Sequence, residues 1–286
     1  MTPVGRRRVA LATCAALPVL DEDGPALREA LAEVGVDASP VRWDDPAADW
    51  DAYDLVVVRS TWDYTRRHGE FLAWAASVPR LANPASVLAW NTDKRYLIDL
   101  ATAGVPIVPT AFVAPGQTYT PPAYEHVVKP TVSAGARDTV RFAAGADSRA
   151  HAAALMAAGR HVMVQPYQAA VDEVGETAVL FFRGEHSHTA RKGPVLAAGA
   201  GRPDDVSITS REASAGELAV ARLALAAVPV ALQSAVGLLY ARVDLVPGPD
   251  GTPLLIELEL TEPSLFLGQS SGSADRFAAA IVTLLG

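Results

Sequence analysis

Hydrophobic and polar positions alternate most regularly between Leu239 and Leu267, in LYARVDLVPGPDGTPLLIELELTEPSLFL. Two alternating runs flank a cluster of turn residues, Gly248 to Gly251, so the stretch predicts a β-hairpin. Side chains alternate sides along a strand, which puts Leu254, Ile256, Leu258 and Leu260 on one face and Glu257 and Glu259 on the other. Closing the hairpin at the turn sets Asp244 roughly opposite Leu255, on the glutamate face, and Arg242 across from Glu257. Like charges on neighbouring strand positions repel, so this face needs a cation. All-oxygen ligands without His or Cys suit Mg²⁺, making Asp244, Glu257 and Glu259 candidate metal ligands.

Upstream, RVALATC, DGPALREALAEVGV, DASPVRW and YDLVVVRSTWDY predict β-α-β-β with buried parallel strands. The apolar run Leu55 to Val58 ends in Arg59, Ser60, Trp62, Asp63 and Tyr64, and open α/β sheets bind ligands at such carboxyl ends. A helix over Gly69 to Ser77 and a segment Arg80 to Asn83 complete a first domain, residues 1–84, closed by Asn83-Pro84. Helical spacing then runs from Ala85 to Ala103, carries Lys94, and stops at Gly104 and Pro106. Short strands are expected over Ile107 to Val113, His126 to Lys129, Val140 to Phe142 and His161 to Gln165, with a helix over Ser148 to Ala158. A second hairpin, Gly175 to Phe182 with Glu185 to Arg191, precedes a Gly/Ala loop (Gly193 to Gly201), a helix over Gly216 to Val228, the acidic hairpin, and a last helix from Ala274 to Leu285. The chain divides into residues 1–84, 85–170 and 171–286.

The 286 residues carry a net charge of −8, which argues against nucleic-acid or membrane partners. Any bound polyphosphate must find its positive groups gathered locally. The single Cys14 excludes an intrachain disulfide and points to a reducing, cytoplasmic setting. Half of the residues are apolar, enough for a large core, and a homo-oligomer stays open because composition locates no contact. There is neither a G-x-x-x-x-G-K-[ST] loop nor a strand followed by G-x-G-x-x-G. His186 and His188 lack a third ligand, and Ser133 lacks a hydrolase partner set.

What remains is Lys94, Lys129, the small-residue loop TVSAGAR after Lys129, and the acidic hairpin. In that order they resemble the ATP-grasp carboxylate-amine ligases, akin to ribosomal-protein-modifying and glutathione-forming ligases, over most of the chain. The resemblance implies an α/β pre-grasp domain followed by two α+β lobes that grip ATP. It implies that Lys94 (in NTDKRYL) and Lys129 (in HVVKP) bind phosphate, and that the loop with Ser133 and Gly135 covers it. Gln165, Tyr167 and Asp172 or Glu173, in VMVQPYQAAVDEVGE, would meet adenine and ribose. Asp244, Glu257 and Glu259 fall on the family's Mg²⁺ positions, although Glu259 stands where the usual E-x-N motif has Asn. VVRSTWDYT with IELELTEPSLFL further resembles an actinobacterial subgroup that includes an O-ureido-serine cyclo-ligase.

The implied chemistry is activation of a small carboxylic acid as an acyl phosphate, with ATP and Mg²⁺, for attack by an amine or an internal nucleophile. Arg242 or Arg191 is a candidate for stabilising the transferring group, and Lys192 and Arg191, in TARKGP, are candidates for facing the acceptor. Arg59 is a candidate for the substrate carboxylate, with a structural ion pair as its alternative; Ser60, Trp62, Asp63 and Tyr64 could line the substrate pocket, Asp63 holding an amine. The competing reading is a nucleotide-binding protein that keeps the fold and has lost the chemistry.

Overall fold

The computed structural model describes residues 6–196, 206–233 and 237–286. Three sheets organise them. The first is parallel, ordered β2-β1-β3-β4 from β1 (Arg8–Thr13), β2 (Asp37–Arg42), β3 (Leu55–Ser60) and β4 (Leu81–Ala82). Every residue of β3 is buried, which explains its unbroken apolar run. Helices α1 (Gly24–Glu33) and α2 (His68–Ser77) cover its two sides: Leu27 and Leu31 pack toward β1 Val9 and Leu11, while Phe71 and Trp74 pack toward Val56 and Val58.

Where helical spacing predicts one helix from Ala85 to Ala103, the chain forms two, α3 (Ala85–Asn91) and α4 (Tyr96–Thr102). The break sits at Lys94, whose backbone N–H leaves the helix to donate to the Thr131 carbonyl at 2.9 Å. Asp93 restarts the helix by accepting from the Arg95 N–H at 3.0 Å. A tertiary hydrogen bond thus overrides helix propensity at the residue that reaches the site.

The second sheet, ordered β5-β8-β6-β7, comprises β5 (Ala111–Val113), β6 (His126–Pro130), β7 (Val140–Phe142) and β8 (Val162–Pro166), with α5 (Arg149–Ala157) packed on Val128, Val162 and Val164. After the short α6 (Val171–Val174) comes the third sheet, antiparallel and ordered β11-β10-β9-β12-β13. Its strands are β9 (Glu176–Phe182), β10 (Glu185–Lys192), β11 (Ile208–Arg211), β12 (Tyr240–Pro247) and β13 (Pro253–Glu259). Both β11 and α6 lack a clear periodicity and escape the sequence reading. The Gly193 to Gly201 loop lies outside the described residues from position 197 onward.

One face of this sheet rests on α7 (Ala215–Ala226), through Val179, Phe181, Val243, Leu255 and Leu258 against Ala221 and Ala224. Truncating Leu258, 1% exposed, to Ala would cost about 2–5 kcal/mol. The other face changes character along its length. At one end Leu180, Phe182 and Tyr240 pack under α8 (Ser273–Leu285), with Phe182 stacked on Phe277 at 4.7 Å. Toward the other end the same face presents Glu176, Lys192, Arg242 and Asp244. The charged site begins where the helix cover stops.

The hairpin register differs from the expectation. Asp244 pairs with Glu257 and Arg242 with Glu259, because a bulge between Asp244 and Leu245 leaves Ile256 as an extra residue on β13. The bulge also breaks the leucine face: Leu255, Leu258 and Leu260 share the α7 core, whereas Leu254 and Ile256 pack with Val108, Val171 and Val246.

Candidate functional site

A cavity of about 500 Å³ opens between the three sheets, and its floor is the bulged hairpin. The bulge turns Ile256 into the cavity beside Glu257 and Glu259. One carboxylate oxygen from each of Asp244, Glu257 and Glu259 lies within 4.8 Å of the others. This all-oxygen set fits a hard divalent cation such as Mg²⁺, which takes one or two carboxylates and keeps other positions for water and phosphate.

Four cations surround the carboxylates, three from strands and one from the break between α3 and α4. Lys94 Nζ lies 3.0 Å from Glu257 and donates to the Ser133 carbonyl at 2.7 Å. Lys192 Nζ bridges Asp244 (2.7 Å) and Glu176 (2.8 Å). Its strand is brought close by Gly175 (φ +71°), where any Cβ would sit 2.2 Å from the Lys192 carbonyl oxygen. Arg242 donates to Asp244 through Nε (2.9 Å) and Nη2 (3.0 Å), to Glu259, and to the Ser264 carbonyl at 3.0 Å. Lys129, at the end of β6, also lines the cavity.

Charge state follows from this packing. Burial opposes ionisation of Asp244, but Arg242 and Lys192 overcome it and hold its carboxyl below the ordinary range. Burial likewise opposes Glu257, which Lys94 and Lys129 keep low. Burial pushes Glu259 up to about 7 against the pull of Arg242, because Glu257 and Asp244 repel its charge. Burial lowers Lys129 below an ordinary lysine, with Glu257 opposing that shift. The floor therefore holds two firmly ionised carboxylates and a third whose charge depends on what binds.

Toward the second sheet, Ser133, Gly135, Gln165 and Tyr167 line the wall. Gln165 donates to Thr110 Oγ1 at 2.9 Å. The loop over this wall is held at its tip by Arg137, whose Nη1 donates to Thr65 Oγ1 at 3.0 Å. Tyr167 donates to Asp172 and lies under the Arg141 guanidinium, 3.5 Å from the ring centroid. Asp172 is committed to Arg141 (3.0 Å), and neither it nor Glu173 lines the cavity.

Among the remaining expected residues, Trp62 and Tyr64 line the cavity, while Arg59, Ser60, Asp63 and Arg191 do not. Arg59 is 1% exposed; it lies 3.6 Å from Asp23 and donates to the Pro263 carbonyl at 3.1 Å. Asp23 in turn accepts the backbone N–H groups of Leu265 (2.6 Å) and Leu267 (2.7 Å). Of its two alternatives, the geometry places Arg59 in the structural ion pair, fixing the segment after β13. Ser60 Oγ accepts from the Asp21 N–H, Asp63 accepts from Trp43 Nε1 at 2.9 Å, and Arg191 is exposed. The sequence reading missed Glu22, Ile256, Glu262 and Ser264 as lining residues. The TEPS segment after the acidic run was its one visible signal for the last two.

The N-terminal region, residues 9–83, matches the family model for the N-terminal domain of the D-cycloserine synthetase DcsG. The cycloserine biosynthesis protein DcsG of Streptomyces lavendulae is 40% identical over 299 residues, spanning 97% of this chain and 98% of that protein. The crystal structure of D-cycloserine synthetase DcsG superposes with a TM-score of 0.91, covering 98% of this chain and 100% of that one at 40% identity. D-alanine–D-alanine ligase from Bacillus anthracis, 12% identical, shares the fold with a TM-score of 0.68 over 98% and 97% of the two chains. Identity at this level over the full length, with a matching fold, leads to one conclusion: the chain is an ATP-dependent ligase of the ATP-grasp fold and belongs to the DcsG family.

Proposed function

We propose that this ligase activates the carboxylate of a small amino acid and closes it onto a nucleophile within the same molecule, as an O-ureido-serine-type substrate allows. The observation that carries the reading is the meeting of Lys94, Lys129, Lys192 and Arg242 with Glu257 and Glu259 on one cavity floor, with the buried Asp244 in the same oxygen cluster just behind them. A nucleotide binder without chemistry has no use for a full set of ligands and counter-charges. The 40% identity to a cycloserine biosynthesis protein favours ring closure over joining two molecules. A cytoplasmic supply of ATP suits a chain whose one cysteine is a buried free thiol.

A carboxylate is a poor electrophile, so one oxygen must first become part of a leaving group. Transfer of the γ-phosphoryl group to that oxygen yields an acyl phosphate and ADP. The nucleophilic nitrogen then attacks the carbonyl carbon, the C–O bond breaks with its electron pair going to phosphate, and the nitrogen loses its proton. Asp244, Glu257 and Glu259 would hold Mg²⁺, which supplies charge neutralisation to the phosphates. Lys94 and Lys129 bind phosphate oxygens as point charges from the two sides of the cavity. Arg242 presents a planar fork, fixed by Asp244 and Ser264, where charge develops on the transferring group. The loop tied to Thr65 by Arg137 keeps water from the acyl phosphate.

Glu257→Gln tests the assignment, since it keeps the shape and removes a charge from the floor. ADP formation should fall roughly 10²–10³-fold while the protein stays folded. Unchanged ADP formation would remove Glu257 from the machinery.

A further inference from the structure

Glu262 lies three positions beyond Glu259, in the segment that follows the acidic hairpin. It is 8% exposed, and its side chain lines the cavity. Two residues of the first domain flank it. Trp62 Nε1 donates to its backbone carbonyl at 3.1 Å, and the buried Tyr64 lines the same cavity beside it. Tyr64 is itself packed at 5.0 Å against Phe71, so its ring cannot swing away.

What Glu262 lacks is a salt bridge of its own; Lys94, the cation that pulls on its charge, is paired with Glu257. Lys192 is held by Asp244 and Glu176, and Arg242 by Asp244 and Glu259. Among the described residues no lysine or arginine pairs with Glu262. A buried carboxylate without an ion-pair partner is costly to ionise, and an entering cation lowers that cost. Asp63, the acid that the sequence suggested for an amine, is turned away to Trp43.

We propose that Glu262, flanked by Tyr64 and Trp62, receives the ammonium group of the substrate and so restricts this ligase to amino acids. The inference rests on the ligase reading above. The substrate carboxylate belongs beside Arg242, which holds the Ser264 carbonyl two residues past Glu262. A small zwitterion then spans the two, with its anion at Arg242 and its cation at Glu262. An acid lacking the amine leaves Glu262 buried and unpaired, and polar sites reject such analogues far more strongly than apolar ones.

The test compares ADP release with O-ureido-serine and with its des-amino analogue, 3-(ureidooxy)propanoate, for wild type, E262Q and E262D. Wild type should prefer the amino acid by roughly a hundredfold or more in kcat/KM. E262Q should lose that preference while its KM for MgATP stays within about twofold, and E262D should retain most of it. A merely structural Glu262 would lower both substrates together, so an intact preference in E262Q overturns the proposal. Wild-type protein that binds MgATP yet releases no ADP with any amino acid overturns the ligase reading and this inference with it. Wild-type turnover without discrimination overturns the inference alone.

Discussion

Lys94 and Glu257 form a 3.0 Å ion pair across the cavity floor, joining the break between α3 and α4 to the metal hairpin. On the proposed roles, a phosphate-binding group and a metal-binding group pair with each other here. On those roles, binding of MgATP would exchange this internal pair for two external ones, cation to carboxylate and phosphate to lysine. The exchange ties metal and nucleotide binding together.

Lys94→Met separates the two halves of that exchange. Removing the lysine frees Glu257, so a divalent cation added without nucleotide should bind more tightly. MgATP should bind about tenfold or more weakly, because a charge-assisted contact to phosphate is lost. Calorimetry with Mn²⁺ alone and then with MnATP reads both signs. A parallel weakening of the two would contradict the exchange.

Glu262 makes the ligand-free protein sensitive to alkali. Burial, with Glu259 adding repulsion, pushes its carboxyl up to about 8 from an ordinary value near 4.5. The folded state then holds the proton more tightly than the unfolded state. The group is neutral in both states below about 4.5, and its ionisation erodes folding stability as pH rises from there through about 8. Glu262→Gln removes that slope. The variant should gain in Tm over wild type at pH 8 relative to pH 5, measured without nucleotide or metal. An equal difference at both pH values would show that the carboxyl ionises freely.

Arg59→Met distinguishes a structural arginine from a substrate contact. The side chain sits among Asp21, Asp23 and the Pro263 carbonyl, and both carboxylates are buried. Leaving them unpaired should cost about 3–5 kcal/mol of folding stability, seen in urea denaturation. A stable variant with only a raised KM for the acid would return Arg59 to the substrate site.

Most of the architecture was legible from periodicity, because the middle of β1 and the first four residues of β3 are unbroken apolar runs and the acidic hairpin alternates cleanly. The register was not. Nothing in PLLIELE announces that Ile256 is bulged, and a single extra residue moved Asp244 from Leu255 to Glu257. The break at Lys94 was equally hidden, since its cause is the Thr131 carbonyl on another sheet. Of the substrate candidates at the end of β3, Trp62 and Tyr64 reach the cavity while Arg59, Ser60 and Asp63 pair elsewhere. Residue type there indicated polarity at a strand end but not which way each side chain turns. Glu262 escaped because a lone acid after a strand has no periodic signature; only the fold shows it buried and facing the site.

The most direct measurement is ADP and phosphate release from MgATP with each enantiomer of O-ureido-serine, with mass spectrometry of the products. Release should depend on one enantiomer and accompany a cyclised product whose ring contains the former carboxyl carbon. ADP release that depends on a separate amine, with a linear product, would contradict ring closure. The absence of ADP with every acid and amine supplied would contradict the ligase assignment itself.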